Sequence, residues 1–431
     1  MNNAWKPYKL GDVLRVKHGF AFKGEFFANS GKYIVLTPGN FYEKGGFKFT
    51  PGKEKYYSAE PPREYICSKG DLIVAMTEQS EGLLGSTAIV PRGGTFLHNQ
   101  RIGLISHDAD KADRLFLRYL FGTTMVRRQI RGGSSGTKVK HTSPERIYDV
   151  DVYLPPLPVQ EQIGKLLALL DEKIEVNNRL NAHLEEVARL FFDYWFIQYN
   201  FPNVDGQPYE AANGELELNT FLGRDIPKGW EHGTADDLGT IVGGSTPSTK
   251  IKENFATHGT PWITPNDLSE NAGNKFITRG NQGVTAAGIR DASLRIYPAG
   301  TVLLSSRAPI GYMAIAREPV TTNQGFKSFI PNKGYPREFV YYAVKNILKT
   351  VIQYSSGSTF SEISGTVLKS VEICLPPKDL AAKFAVEIEP IFNRQDFLEQ
   401  ENAQLEAARD WLLPMLMNGQ VLFKSDPAAV V

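Results

Sequence analysis

Two stretches of the chain carry apolar residues at alternating steps of four and three, the spacing that lays one stripe along a helix and mates it with a second helix. The first stripe reads Ile163, Leu167, Leu170, Ile174, Asn177, Asn181, Leu184, Ala188, Phe191 and Trp195. The second reads Phe384, Ile388, Ile391, Gln395, Leu398, Asn402, Leu405, Arg409 and Leu412. A helix of about 35 residues reaches roughly 50 Å, and a stripe that long needs a partner. The other stripe is the nearest one. Asn177, Asn181, Gln395 and Asn402 interrupt the seam, and polar seam residues either fix register or simply face solvent. Pro390 is expected to kink the second helix or delay its start. The aromatics at the helix ends (Phe191, Phe192, Tyr194, Trp195, Phe196 and Trp411) exceed what a two-helix seam covers, which points to another protein as their cover.

Ahead of each stripe the pattern changes to short β-branched and aromatic runs separated by Gly, Pro and Asn: Tyr33–Leu36, Leu72–Met76, Ala88–Val90 and Ile102–Ser106 in the first half. These read as strands. Helices are expected over Arg114–Arg131 and Arg337–Tyr354, each followed by a Gly/Ser loop and a last strand ending in Leu-Pro-Pro.

The order is the same in both halves because the chain repeats itself. Leu154-Pro155-Pro156 recurs as Leu375-Pro376-Pro377 and Ser134-Ser135-Gly136 as Ser355-Ser356-Gly357, both at a shift of 221 (375 − 154 and 355 − 134). Asn99-Gln100 recurs as Asn323-Gln324 and Thr37-Pro38 as Thr264-Pro265, and the run Leu83–Val90 parallels Pro309–Ala316. Leu184 and Leu405 keep the same shift inside the stripes. Packing two repeated arms antiparallel generates a pseudo-two-fold axis. The fold class expected is therefore α+β: two tandem α/β domains separated and joined by two long helices forming an antiparallel coiled coil.

The 431 residues suffice for two or three domains. Two cysteines, Cys67 and Cys374, make neither a disulfide framework nor a zinc site and suit a reducing cytoplasm. The opening residues lack a secretory pattern and no apolar run reaches the length of a membrane span; cytoplasmic location and no membrane contact are expected. The net charge of +1 conceals an asymmetry: residues 1–150 hold 23 Lys and Arg against 14 Asp and Glu, a net of +9, while residues 151–200 hold 4 against 8. Residues 201–375 balance at 16 each. A basic first segment suits a phosphate-contacting surface and equally a solvated face.

Catalytic motifs are missing. Gly132-Gly133-Ser134-Ser135-Gly136 and Gly243-Gly244-Ser245 lack the Lys-Ser/Thr ending of a phosphate cradle. The Pro-Pro pairs lack the flanking residues of an amino-methyltransferase motif, and no acid pair joins a Glu-x-Lys as in metal nucleases. His18, His98, His107, His141, His183, His232 and His258 show no ligand spacing. No catalytic residue, bound cofactor or metal is expected on this chain.

With these features assembled, the chain resembles the specificity subunit of a type I restriction-modification system. The phrase Leu154-Pro155-Pro156-Leu157-Pro158-Val159-Gln160-Glu161-Gln162-Ile163 is very like that family's first conserved region. Gly133–Thr137 and Gly357–Thr359 resemble the turn preceding it. Gly19-Phe20-Ala21-Phe22-Lys23 and Gly243-Gly244-Ser245-Thr246-Pro247 resemble the two domain openings. The second region departs from the pattern, reading Lys378-Asp379-Leu380-Ala381-Ala382-Lys383 in place of the Gln-Glu-Gln, which puts equal docking of two partners in question. The resemblance implies target-recognition domains at 1–156 and 201–377, helical spacers at 157–200 and 378–420, and a tail at 421–431. It implies a bipartite duplex DNA target, two modification subunits using S-adenosylmethionine to methylate adenine, and restriction subunits using ATP and Mg. Those cofactors belong to the partners. An orphan scaffold of the same architecture that binds protein is the alternative.

Sequence is read by Arg, Lys, Asn and Gln at base edges while phosphate contacts set position. Candidates in the first domain are Lys17, Lys23, Arg92, Arg101, Arg127, Arg128, Arg131, Lys138 and Lys140. Those in the second are Lys250, Lys252, Arg279, Arg307, Asn323, Gln324 and Lys327. Each is also what a solvated side chain looks like. The two Asn-Gln pairs fit turns better than base readers, since both domains share them while their targets should differ.

Overall fold

The β-branched runs between Gly, Pro and Asn punctuation form two small sheets in each half of the chain. The computed structural model describes residues 5–78, 81–136, 138–307, 309–356 and 362–421. Thr137 and Gly357–Thr359 of the two Gly/Ser loops, and residues 422–431 of the tail, lie outside the described residues. The chain divides into two units, residues 1–174 with 404–431, and residues 175–403.

In the first unit, strands Leu14–His18, Ile102–His107, Leu72–Ala75 and Thr87–Ile89 pair in that spatial order, all antiparallel. A second sheet orders Phe27–Ala28, Tyr56–Tyr57, Tyr33–Val35 and Phe96–Leu97, its last pair parallel. Lys6–Lys9 runs antiparallel to the closing strand Asp151–Leu154. Leu72–Ala75 is apolar throughout because both its faces are covered. Leu72 and Val74 join one core cluster, and Ile73 and Ala75 join another.

The second unit repeats this strand for strand. Thr240–Val242, Ser328–Ile330, Val302–Leu304 and Met313–Ala316 form the first sheet, with Phe276–Ile277 added in parallel at its edge. Phe255–Ala256, Gln282–Val284, Thr260–Ile263 and Thr321–Thr322 form the second, again ending in a parallel pair. Glu231–Thr234 pairs with Glu372–Leu375. The sequence repeat is thus a repeat of topology. Both closing strands stop at Leu-Pro-Pro because proline has no N–H for the ladder. The long helices then run Leu157–Phe192 and Lys378–Met417.

Three sequence expectations change. The helix expected over Arg114–Arg131 is two, Arg114–Leu120 and Thr124–Gly132. Thr123 restarts it, its hydroxyl accepting from the Val126 amide at 3.4 Å. The equivalent Arg337–Ser356 is unbroken. The second long helix starts directly after Pro377, so Pro390 does not delay it. Phe191 is exposed; Phe192 takes its place in the buried seam before the chain turns through Asp193–Ile197.

Within the second unit the helices pair antiparallel. The Asn177 amide donates to the Asn402 side-chain carbonyl at 2.9 Å and Gln395 donates to the Asn181 main-chain carbonyl at 3.3 Å. The Phe192 and Phe384 rings meet at 5.9 Å. All four polar seam residues are buried, so they act on register and not on solvent. Beside them lies a charged network. Glu399 accepts from the Lys275 and Phe276 amides at 2.6 and 3.0 Å and pairs with Arg317 at 2.7 Å. The buried Lys275 ammonium meets Glu185 at 2.8 Å, the Tyr342 hydroxyl at 2.7 Å and the Phe392 ring at 3.7 Å. Such a buried charge is tolerable only when partnered on every side.

Within the first unit, Ile163 and Leu167 share a core with Leu416 and Met417. The Tyr119 hydroxyl donates to Asp171 at 2.7 Å, and Arg118 and Arg409 reach the same carboxylate at 2.7 and 2.8 Å. Tyr119 and Tyr342 are repeat equivalents (shift 223), and the Tyr342 hydroxyl likewise donates to a long-helix carboxylate, Glu185, at 2.9 Å. Each domain therefore clamps the helices with the same tyrosine.

Candidate nucleic-acid interface

In each domain four chain segments lie side by side and form a ledge. In the first domain the Phe20 amide donates to the His98 carbonyl at 2.8 Å, Gln100 to Phe20 at 3.0 Å, Met76 to Arg101 at 3.0 Å and Thr142 to Met76 at 3.0 Å. In the second, Ser245 donates to Thr322 at 3.0 Å, Ser306 to Gly325 at 2.8 Å and Ile363 to Ser306 at 2.9 Å. Three of the four bonds thus recur at equivalent repeat positions; the fourth, Gln100 to Phe20, is replaced in the second domain by the Trp262 indole N–H donating to the Ser245 carbonyl at 3.1 Å. The opening glycines make the crossing possible. A Cβ on Gly19 would stand 2.1 Å from the Asn99 carbonyl oxygen, and one on Gly244 would stand 2.1 Å from that of Thr322. The Asn of each Asn-Gln pair shapes the turn: the Asn99 side chain accepts from the Arg101 amide at 2.9 Å, and Asn323 from Gly325 at 2.9 Å. His98 is buried under the ledge with Nε2 on the Ile102 carbonyl at 2.8 Å. Burial pushes it down to about 4, so it is neutral at physiological pH.

The candidate cations distribute unevenly. On the first ledge Lys17 donates to the Glu64 carbonyl at 3.1 Å and lies over the Tyr65 ring. Lys23 lies 3.7 Å from Glu25, and Arg101 is exposed on the turn. Lys140 sits in a two-residue strand facing Thr77–Glu78, with exposed Lys138 just before it. Arg131, at the end of its helix, pairs with Glu81 and with the buried Glu78, and Arg128 is exposed one turn earlier. On the second ledge Arg307 packs over Gly325, with its guanidinium 4.0 Å from Glu362, and Lys327 reaches the same carboxylate at 3.5 Å. Gln324 is exposed and accepts from the Thr246 hydroxyl; Asn323 is the turn residue.

Five candidates have other surroundings. The Arg127 guanidinium donates to the carbonyls of Phe121, Gly82, Leu84 and Glu43. Burial lowers it to about 10, and four of its five N–H donors hold three loops together. Arg92 lies over the Phe49 and Phe96 rings at 5.9 and 5.3 Å. Lys250 and Lys252 are exposed around a short turn, and Arg279 donates to the Thr257 carbonyl at 3.2 Å. All four sit on segments outside the ledges.

The long helices carry a second surface. In the second unit Val176, Leu180, Val187, Leu190 and Tyr194 are exposed at 36–47%, 52% and 40% along the first helix, at steps of four, seven, three and four. That is a heptad stripe turned away from the buried seam. The aromatic cover inferred from sequence divides accordingly. Phe192, Trp195 and Phe196 are buried against Phe339, Phe384 and Trp230 of their own unit, while Phe191, Tyr194 and Trp411 remain exposed. Among the described residues no helix is long and apolar enough to cross a membrane. Nor does any group of three or more His, Cys, Asp or Glu stand where it could hold a metal ion.

The family model described as the type I restriction modification DNA specificity domain matches residues 2–186 and 227–407, one match for each domain with most of its helix. The chain belongs to that family. The type I restriction enzyme MjaIX specificity subunit of Methanocaldococcus jannaschii is 43% identical over 209 residues, 48% of this chain and 46% of that one, so the match spans a little under half of each. The type I restriction enzyme HindI specificity subunit of Haemophilus influenzae is 25% identical over 97% of this chain and 99% of its own length. The crystal structure of the S subunit of a type I restriction-modification system from M. genitalium has the same fold, with a TM-score of 0.61 at 14% identity over 97% of each chain. The specificity-family phrase also acquires a physical meaning here. Gln160 donates to the Lys111 and Pro155 carbonyls at 3.0 and 2.9 Å and accepts from the Asp113 amide at 3.1 Å, stitching its helix to the domain. The equivalent position, 160 + 221, is the buried Ala381. The Gln that the second copy lacks therefore has an internal job in the first. Sequence reading missed Gly164, whose Cβ would stand 2.7 Å from the Phe116 nitrogen. Asp171 and Glu185 fall outside the apolar stripe and carry no sequence signal of their role.

Proposed function

We propose that the chain is the non-catalytic DNA-reading subunit of a type I restriction-modification complex, each ledge reading one half of a bipartite duplex target. The observation that carries this is the duplicated ledge, with one set of backbone bonds displaying different side chains in the two domains. A shared frame with unlike surfaces suits two unlike half-sites. The first ledge, with Lys17, Arg101, Arg128, Lys138 and Lys140, takes the larger share of phosphate contact. The second, where Glu362 offsets Arg307 and Lys327, relies more on neutral readers. The paired helices set the unspecified gap between half-sites.

The exposed stripe Val176–Tyr194 supports docking of the modification subunits, which carry S-adenosylmethionine and methylate adenine. Restriction subunits carrying ATP and Mg complete the complex. Titrating salt against duplex binding by the chain with its modification partners tests the reading. Counterion release makes log affinity fall steeply with log salt, and Lys140→Gln lowers that slope by about 0.9 if Lys140 meets a phosphate. A flat salt response would instead favour a protein-binding scaffold. Lengthening both helices by one heptad each, which preserves the seam, should widen the preferred gap by about three base pairs at ~1.5 Å per residue and ~3.4 Å per base pair.

A further inference from the structure

Two copies of a reading domain should differ where their targets differ and agree where their targets agree. Exposed polar side chains repeated at one place on both ledges are therefore informative, once those with structural jobs are set aside. Asn99 and Asn323 have such a job, each closing its own turn. Ser143 and Ser364 have another, capping equivalent short helices through the Arg146 and Val367 amides. Gln100 and Gln324 remain. Both are exposed at the outer corner of the ledge. The Gln100 amide has no hydrogen-bond partner among the described residues, its turn being held by the backbone bond to Phe20. Gln324 makes one side-chain bond, accepting from the Thr246 hydroxyl, which leaves its NH2 and one carbonyl lone pair for a ligand. A cation stands beside each amide from a different source: Arg101 follows Gln100, and Arg307 packs over Gly325 next to Gln324.

We infer that Gln100 and Gln324 are equivalent base readers, each recognising an adenine that the two half-sites have in common. The chemistry selects adenine. A side-chain amide donates to N7 and accepts from the N6 amino group with one planar fork, a pattern that adenine alone presents in the major groove. The inference deepens the proposed function and rests on it. Thr246 is a positioning residue: its hydroxyl holds the Gln324 carbonyl so that the fork is set before DNA arrives. The first domain has Ala21 at the equivalent place (shift 225) and lacks this lock, so its reader is the less constrained of the two.

The test uses the chain with its modification partners and the duplex defined by mapping methylated sites, with each base pair of both half-sites exchanged in turn. Gln324→Ala should lower target affinity roughly 10- to 100-fold, with the loss confined to one A·T position of one half-site. Gln100→Ala should do the same at the matching position of the other. Replacing that adenine by 7-deazaadenine, which lacks N7, should weaken the unaltered complex and leave the alanine variant unmoved. Thr246→Val should relax discrimination several-fold in the second domain's half-site only. Because both glutamines are exposed, thermal midpoints should stay in place. Alanine variants that keep full discrimination at every position, or that lose affinity equally on all duplexes as a phosphate contact would, overturn the inference while leaving the proposed function standing. An unaltered complex that prefers no duplex overturns both.

Discussion

The Asn177 amide donates to Asn402 at 2.9 Å and to Glu401 at 2.7 Å, while the Asn402 amide returns a bond to Asn178 at 2.7 Å. This exchange is buried in the seam between the helices, where an unmade bond costs more than a made one contributes. Asn177→Leu should therefore destabilise the second unit by about 1–3 kcal/mol in urea unfolding, because Asn402 is left buried with a partner missing. The double variant Asn177→Leu/Asn402→Leu should recover that loss and exceed either single variant. A double variant weaker than both singles would show that the pair stabilises the helices outright.

Lys275 gives the second unit a distinctive alkaline profile. Burial pushes its ammonium down to about 8 even with Glu185 in contact, whereas in the unfolded chain lysine titrates near ~10.4. Between those values the unfolded chain holds a proton that the folded chain has released, so stability rises with pH. Below the folded value both states are protonated and the slope vanishes. The buried Cys374 and Cys67 thiols, pushed up to about 11 and about 12, act in the opposite direction over the same range, so the difference is the readout: from pH 8 to about 9.5 the urea midpoint of the natural chain should gain on that of Lys275→Met, which carries the same thiols.

Gly164 and Gly132 should respond to alanine in opposite directions. Both are helical, and alanine alone would favour each helix by up to about 1 kcal/mol. At Gly132 nothing lies within 4 Å of an added Cβ, so that gain should appear. At Gly164 the Cβ would stand 2.7 Å from the Phe116 nitrogen and 2.8 Å from the Asp113 carboxylate that caps the Arg114–Leu120 helix. Overpacking should win there by roughly 1–3 kcal/mol. Thermal unfolding of the two variants decides the matter.

Val187→Glu and Leu190→Glu change exposed positions on the outer stripe. Chain stability should stay within about 0.5 kcal/mol, while sedimentation with the modification subunits should show affinity reduced at least about tenfold, the expected effect of charge in an apolar helix contact. Unaltered assembly would move the docking surface elsewhere.

Much of the architecture was legible because it depends on period. The stripes gave both long helices and their pairing, and the spacing of Leu-Pro-Pro gave the duplication. Phe191 was misread because the four–three spacing steps three residues on from Ala188, whereas the helix, still regular there, buries the residue four on, Phe192. The Arg114–Arg131 break was missed since Thr123 is an ordinary residue until its hydroxyl caps a helix. Among the candidate cations, charge identified the type of residue but not its surroundings. Arg127 and Arg128 are neighbours in sequence, yet one is bound to four carbonyls and the other is exposed. That distinction depends on loops more than 40 residues away, at Glu43 and Gly82.

Leu416 and Met417 complete the core of the first unit, and Gly419 packs close against Trp5. On the ribosome, the domain that emerges first is consequently the last to be finished. Its apolar floor must wait, uncovered, until the whole of residues 175–403 has been made. Contacts that distant in sequence form slowly and leave hydrophobic surface open to wrong associations in the meantime. The first domain's nascent form should thus be the species that most needs a chaperone during synthesis.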